Sequence, residues 1–254
     1  MSMDTVLVAC DLDNTLIHSK KFRQPDDCCV EIIDGQERGF MSPKTVELLR
    51  YVMGNTVFVP ITTRAKAQYE RICWPSDCQP RYALINNGAT LLVNQQESES
   101  WTEESLRCVS PYATHLQELR DKLSCCGRFI RCSVVDGMFL YACCEQGVDA
   151  SIYVAEYQAI TPMNVVASGR KIYFFPPHID KSTAIERFKR LRSIDFTVGA
   201  GDSVIDIPLL QTVDVAIVPD NRFANHLLGN RVLVCDEKQL FSEFVLEKIV
   251  EILS

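Results

Sequence analysis

The chain has 254 residues, 47% of them apolar and 23% charged, enough for one sizeable core with a smaller insertion and the balance of a globular protein. No stretch approaches the roughly 18 continuous apolar residues of a membrane span. A net charge of -7 disfavours a broad nucleic-acid or anionic-membrane surface, yet leaves room for a small anionic ligand in a locally positive site. The 12 cysteines include the adjacent pairs Cys28-Cys29, Cys125-Cys126 and Cys143-Cys144, which are poor disulfide partners and lack zinc-site spacing. With no signal peptide in view, they read as reduced thiols of a cytoplasmic protein.

Residues 5–10 are a short β-branched apolar run and predict a fully buried strand. Ser42 and Pro43 suit the N-cap and first position of a helix, with an apolar stripe of Val46, Leu49, Tyr51 and Val52 and an end at Gly54 and Asn55. A second buried strand is expected over 56–61, a helix over 64–73 closed by Pro75, and a third strand over 82–85 before Asn86, Asn87 and Gly88. Buried strands alternating with helices imply a parallel sheet covered on both faces.

The pattern changes after Val93. Residues 94–105 are polar and read as a solvated connection, and 110–126 as a helix. Residues 129–135 and 138–143 read as a hairpin turned by Asp136 and Gly137. A helix over 148–159 and a strand over 171–175 follow, and Pro176-Pro177 marks the return to the first pattern. The βα alternation resumes at Asp180: a helix over 181–191, a strand over 196–198, a helix beyond Asp202, strands over 213–218 and 232–234, and an amphipathic helix over 239–253. The fold class is therefore α/β, a doubly wound parallel-sheet core over 1–93 and 171–254, with an inserted α+β domain over 94–170.

Four short elements fall at the C-terminal ends of expected core strands, where open α/β sheets bind ligands. Asp11-Leu12-Asp13-Asn14-Thr15 follows the first strand; of its two carboxylates, one can attack phosphorus while the other handles a proton. Thr62-Thr63-Arg64 follows the second, offering hydroxyls and backbone N–H groups to a phosphate oxygen. Asp180-Lys181-Ser182 opens a helix with a compact positive charge. Gly199-Ala200-Gly201-Asp202-Ser203 runs on to Asp206, a tight acidic turn that can complete a site for a hard divalent cation.

In this order and spacing the set resembles the haloacid dehalogenase-like hydrolase superfamily, over roughly residues 4–93 and 171–254. The resemblance implies a Rossmann-like core with Asp11 as nucleophile, Asp13 as general acid and base, Thr62 as the phosphate-binding hydroxyl and Lys181 as the charge-stabilising lysine. It implies Mg2+ held by Asp11, the backbone carbonyl of Asp13, Asp202 and, as a direct or supporting acid, Asp206. An insertion between the second and third motifs is similar to that superfamily's type II cap. Asn86-Asn87-Gly88-Ala89 and the Gly-Asp-Ser run are similar to the type IIB branch of sucrose-phosphate phosphatase, mannosyl-3-phosphoglycerate phosphatase and phosphomannomutase. Two positions depart from the pattern: Ile205 stands where many relatives have asparagine, and Thr63 where they often have glycine.

The expected function is thus a magnesium-dependent phosphatase for a small phosphorylated metabolite, such as a sugar phosphate, working through an aspartyl-phosphate. An acid at Asp13 favours phosphate-ester chemistry over the superfamily's pumps and dehalogenases. A phosphomutase would use the same pair, and a non-catalytic binding module is the rival of another class. Thr63, Arg64 and Asn87 join Thr62 and Lys181 as candidate substrate contacts. Arg128, Arg131, Arg170 and Lys171 are cations of the insertion or its edge that could meet a second anionic group. No nucleic-acid or membrane partner is expected, and the sequence leaves the oligomeric state open.

Overall fold

The apolar run before Asp11 forms Val6–Cys10, the fourth strand of a five-stranded parallel sheet in the computed structural model, which describes residues 5–227, 229, 231–235 and 239–254. The sheet runs in the order Arg231–Val234, Val215–Val218, Phe196–Ala200, Val6–Cys10, Val57–Pro60. Its period-two alternation sends Val8 and Cys10 into one apolar cluster and Leu7 and Ala9 into another, so both faces are buried. The helices Pro43–Asn55 and Phe241–Leu253 cover the first face through Leu49, Val52, Val245 and Ile249. Lys181–Arg190 and Ile207–Thr212 cover the second through Ile185, Phe188 and Leu209. Ser42 caps its helix by accepting from the Thr45 N–H at 3.0 Å, as the Ser-Pro signature implies.

Strand order fixes where ligands can enter. From Val6–Cys10 the chain crosses to one neighbour, Val57–Pro60, and Phe196–Ala200 pairs on the opposite side. Connections leave this strand in opposite directions, which opens a crevice at its C-terminal end. Asp11 is the first residue there, its N–H bonded to the Ala200 carbonyl at 2.9 Å.

Above that crevice lies a second, antiparallel sheet in the order Asn164–Ser168, Lys171–Phe175, Phe139–Cys143, Arg131–Val135. Asp136 and Gly137 take the positive φ values of 45° and 75° that a two-residue hairpin turn needs. The helix Ala113–Cys125 presents Leu116, Leu119 and Leu123 to Phe139, Leu140 and Phe174 in a separate apolar cluster. The expected α/β fold class with an inserted cap is what the chain forms.

Several local expectations change. The polar stretch 94–105 is not only a solvated connection: Gln96–Glu97 is a short strand and Glu99–Val109 a helix. Trp101 is 5% exposed, donates from Nε1 to the Gly88 carbonyl at 3.0 Å and lies under the Arg187 guanidinium. Its apolar stripe is too sparse to register as periodic. The strand Lys171–Phe175 belongs to the antiparallel sheet, not the core, pairing with Phe139–Cys143 and Asn164–Ser168. The helix expected over 64–73 shrinks to Lys66–Tyr69, because Arg64 is drawn aside to two carboxylates. A hairpin of Cys28–Ile33 and Gln36–Met41 was unforeseen, although Asp34-Gly35 carries the same turn signal as Asp136-Gly137, with φ of 51° and 72°. No helix among the described residues is long and apolar enough to cross a membrane.

Trp101→Ala tests the reassigned segment. Loss of this buried ring should lower unfolding free energy by about 3–5 kcal/mol, read by urea denaturation; a change under about 1 kcal/mol would return the segment to the solvent-exposed surface.

Candidate active site

The site grows from the strand end outward. Asp11 stands directly after Val6–Cys10, and Lys181 is the first residue of the helix Lys181–Arg190, whose N-cap Asp180 accepts from the Thr183 N–H at 2.8 Å. The Lys181 side chain is 1% exposed and spends its three protons on Asp11 Oδ1 at 2.5 Å, Asp206 Oδ1 at 2.5 Å and the Ile61 carbonyl at 2.8 Å. All of its donors are satisfied, the condition under which an ammonium can stay charged when buried. Its pKa accordingly lies above the ordinary lysine value: burial lowers it, and the two carboxylates more than reverse that.

Asp206 is held from the other side by Ser203, whose N–H and hydroxyl both donate to Oδ2 at 2.9 Å. Gly201 permits this closeness, since a Cβ there would fall 2.4 Å from that of Asp206. Asp202 accepts from Thr15 Oγ1 at 3.5 Å, and Asn14 lines the same cavity beside it. Asn14 takes φ 59°, a left-handed conformation that asparagine tolerates. Asp11, Asp202 and Asp206 offer oxygens that all lie within 4.8 Å of one another.

Such crowding shifts protonation. Burial pushes the Asp11 carboxyl well above the ordinary range, against the pull of Lys181 and with the help of Asp206 and Asp202. Burial, then Asp206, pushes Asp202 up to about 7. A donor set of carboxylate oxygens with too little positive charge fits a hard divalent cation such as magnesium. All three acids offer an oxygen to such a cation, and the Asp206 oxygens also accept from Lys181 and Ser203, so this residue braces the loop as well.

Asp13 is nearby but engaged elsewhere. Arg64 donates to it through Nε at 2.9 Å and Nη2 at 2.7 Å, and to Glu31 through Nη1 at 3.0 Å and Nη2 at 2.9 Å. Burial works against the Asp13 carboxylate, but the Arg64 hydrogen bonds and charge hold its pKa below the usual range. Arg64, named as a candidate substrate contact, is thus buried between two acids. Asn87 is buried too, donating to the Ile179 carbonyl at 3.1 Å and tying its loop to the start of the Lys181 helix. Gly88 beside it has φ 91°, and a Cβ there would lie 2.3 Å from Ala184 Cβ.

Thr62 is likewise inside, its hydroxyl accepting from the Arg64 N–H at 3.1 Å. Thr63 faces a cavity of about 280 Å³ that Asp11, Asp13, Lys181, Asp202 and Tyr173 also line. Arg170 and Lys171 reach this cavity from the cap. Arg128 pairs instead with Glu156 at 2.7 Å, and Arg131 is exposed. Glu31, Asn14 and Ser203 were not foreseen. Ser203 was legible as Ser-x-x-Asp, a capping-box spacing, whereas Glu31 had no local signal. Ile205, at the position where asparagine was expected, joins the apolar cluster of the cap.

The raised acids give the metal-free protein a signed pH dependence. An acid with a higher pKa folded than unfolded binds more protons in the native state, so its stabilising share is full below about pH 4 and falls as pH rises. For Asp202 the loss is complete only above about 7. Asp13 has the opposite sign and acts only in more acidic solution. Metal-free protein should therefore melt lower at about pH 8 than at about pH 5.5, and magnesium should raise Tm more at the higher pH. An equal magnesium response at both values would refute the acidic triad as its site.

No family model matches the sequence, and no curated protein matches it. Solved structures do. The sucrose-phosphatase of Synechocystis sp. PCC6803, solved with sucrose and phosphate, superposes with a TM-score of 0.66 at 14% identity, covering 98% of each chain. A subclass IIB sugar phosphatase of the HAD superfamily gives 0.61 at 12% identity over 96% of this chain and 99% of that one. A trehalose-6-phosphate phosphatase related protein gives 0.56 at 14% identity over 97% and 96%. At these identities the shared property is the fold, and the chain carries, over nearly its whole length, the capped fold of the haloacid dehalogenase superfamily.

Proposed function

We propose that the protein is a magnesium-dependent phosphatase of small phosphorylated metabolites, sugar phosphates among them, acting through an aspartyl-phosphate on Asp11. One observation carries this reading: Lys181 grips Asp11 and Asp206 at the sheet's switch point, with Asp202 alongside and a cap overhead. The solved structures of this fold that are named for sugar-phosphate substrates support the same substrate class.

In this reading the Asp11 carboxylate attacks phosphorus as the bond to the leaving oxygen breaks. Lys181 fixes the attacking group by holding one of its oxygens. A magnesium ion held by Asp11 and Asp202 would draw charge from the phosphoryl oxygens and lessen their repulsion of the carboxylate. Asp13, protonated from solvent once free of Arg64, delivers that proton to the departing alkoxide, then takes one from the water that attacks the aspartyl-phosphate, releasing inorganic phosphate and restoring Asp11. To carry a proton Asp13 must first leave Arg64, and Glu31 keeps that guanidinium bonded meanwhile. Thr62 is the expected phosphate-binding hydroxyl, Thr63 lines the cavity beside it, and Asn87 holds the loop behind them. The cap extends beyond residue 170 to take in the strand Lys171–Phe175. The buried thiols of Cys10, Cys78, Cys143 and Cys144 suit the reducing cytoplasm.

A panel of phosphorylated metabolites and p-nitrophenyl phosphate, assayed for free phosphate with magnesium or with chelator, tests the reading. Hydrolysis should require magnesium and vanish in Asp11→Asn. Asp13→Asn should lose roughly 10²–10⁴-fold on alkyl phosphates while still binding magnesium. Full activity of Asp13→Asn would remove the proton-transfer role, and phosphate reappearing on a second hydroxyl would make the protein a mutase.

A further inference from the structure

A second cavity of about 260 Å³ opens beside the first, between the hairpin of residues 28–41 and the antiparallel sheet. The two share Asp13, Thr63, Lys171 and Tyr173. Asp13 therefore stands at their junction. A group that receives a proton from Asp13 while its phosphorus lies over Asp11 has this second chamber open to it.

The chamber has a distinct chemistry. Phe139, Tyr141 and Tyr173 from the cap sheet line it with aromatic surface. Its charges do not balance: three cations, Arg64, Arg71 and Lys171, face two carboxylates, Asp13 and Glu31. Both carboxylates are committed to Arg64 by paired hydrogen bonds, and Arg71 Nε reaches Glu31 at 3.2 Å. Lys171 has no carboxylate within ion-pair distance among the described residues; its ammonium lies 5.5 Å from the centroid of the Tyr141 ring. The surplus positive charge is thus Lys171, which stands where the two cavities meet, beside Asp13 and the aromatic wall.

We propose that the leaving portion of the substrate carries a second anionic group, a carboxylate or another phosphate, which Lys171 binds in this chamber while the carbon frame rests against Tyr141 and Tyr173. The proposal rests on the phosphatase reading and narrows its substrate class. An uncharged sugar leaves the Lys171 ammonium unpaired beside the substrate, whereas an anionic one gains a charge-assisted contact in a partly enclosed site.

Matched pairs test it. 3-Phosphoglycerate against glycerol 3-phosphate changes a carbinol to a carboxylate, and fructose 1,6-bisphosphate against fructose 6-phosphate adds a phosphate. In at least one pair the kcat/KM of the charged member should exceed that of its partner by roughly tenfold or more, the worth of one charged hydrogen bond. Which pair responds tells carboxylate from phosphate. Lys171→Gln should collapse that ratio toward one, and Lys171→Arg should retain it. Ratios near or below one in both pairs, or a ratio unchanged in Lys171→Gln, overturn the second-anion site while hydrolysis of p-nitrophenyl phosphate leaves the phosphatase reading standing. No hydrolysis of any ester overturns both.

Discussion

The site depends on a single buried ammonium. Lys181 joins the end of the strand Val6–Cys10, the end of its neighbour Val57–Pro60, the start of a helix and the acidic turn, through Asp11, the Ile61 carbonyl and Asp206. Residues 11 and 206 lie far apart in sequence, so nothing local sets their separation. Burying these charges costs several kcal/mol per ion, and removing one partner of such a pair typically costs about 3–5 kcal/mol. The arrangement is therefore weak as a device for stability and strong as one for geometry, because three acceptors from separate elements each take one of the lysine's protons. The surrounding loops serve the same end. Asn87 grips the Ile179 carbonyl just before this helix, and Gly88 lets its loop touch Ala184.

Arg64 plays the matching part for the second acid. It holds Asp13 and Glu31 at once, which neutralises one charge and leaves one over, and it lines the chamber between hairpin and cap sheet. The arginine has two resting partners, so one can be exchanged without leaving its charge bare. That property separates the two aspartates of the first motif. Asp11 is fixed against a lysine that has no slack, while the side chain of Asp13 is 49% exposed on the cavity side and has somewhere to go. In the proposed reading Asp11 as nucleophile benefits from fixity, and Asp13, which would give and then take a proton, benefits from reach.

How much of this the sequence disclosed follows from the range of each interaction. The buried strands and the four motifs were legible because strand burial, helix caps and tight turns are written in neighbouring residues, as at Val6–Cys10, Ser42-Pro43 and Asp136-Gly137. The convergence of Asp11, Lys181 and Asp202 could be expected only through resemblance. Pairings across long separations were hidden. Glu31 meets Arg64 from a hairpin whose sequence says only that it turns, and Trp101 is buried because Gly88 and Arg187 come to it. Lys171–Phe175 reads equally well as a core or cap strand, since an apolar run of five does not name its partners.

Ile205 shows how the two halves of the molecule are coupled. In sequence it is a missing polar group next to the acidic turn. In space it leaves that turn and enters the apolar cluster built by Leu140, Val165 and Phe174 of the cap. One residue from Asp206, the core thus reaches into the cap's own interior, and the apolar contact takes the place of a hydrogen bond at the acidic loop. The strand Asn164–Ser168 packs on residues 204–206, so the cap's apolar interior is continuous with the segment that carries Asp202, Ser203 and Asp206. A polar residue at 205 would bury an unpaired group in that apolar cluster; isoleucine fits it, and Ser203 remains to hold Asp206.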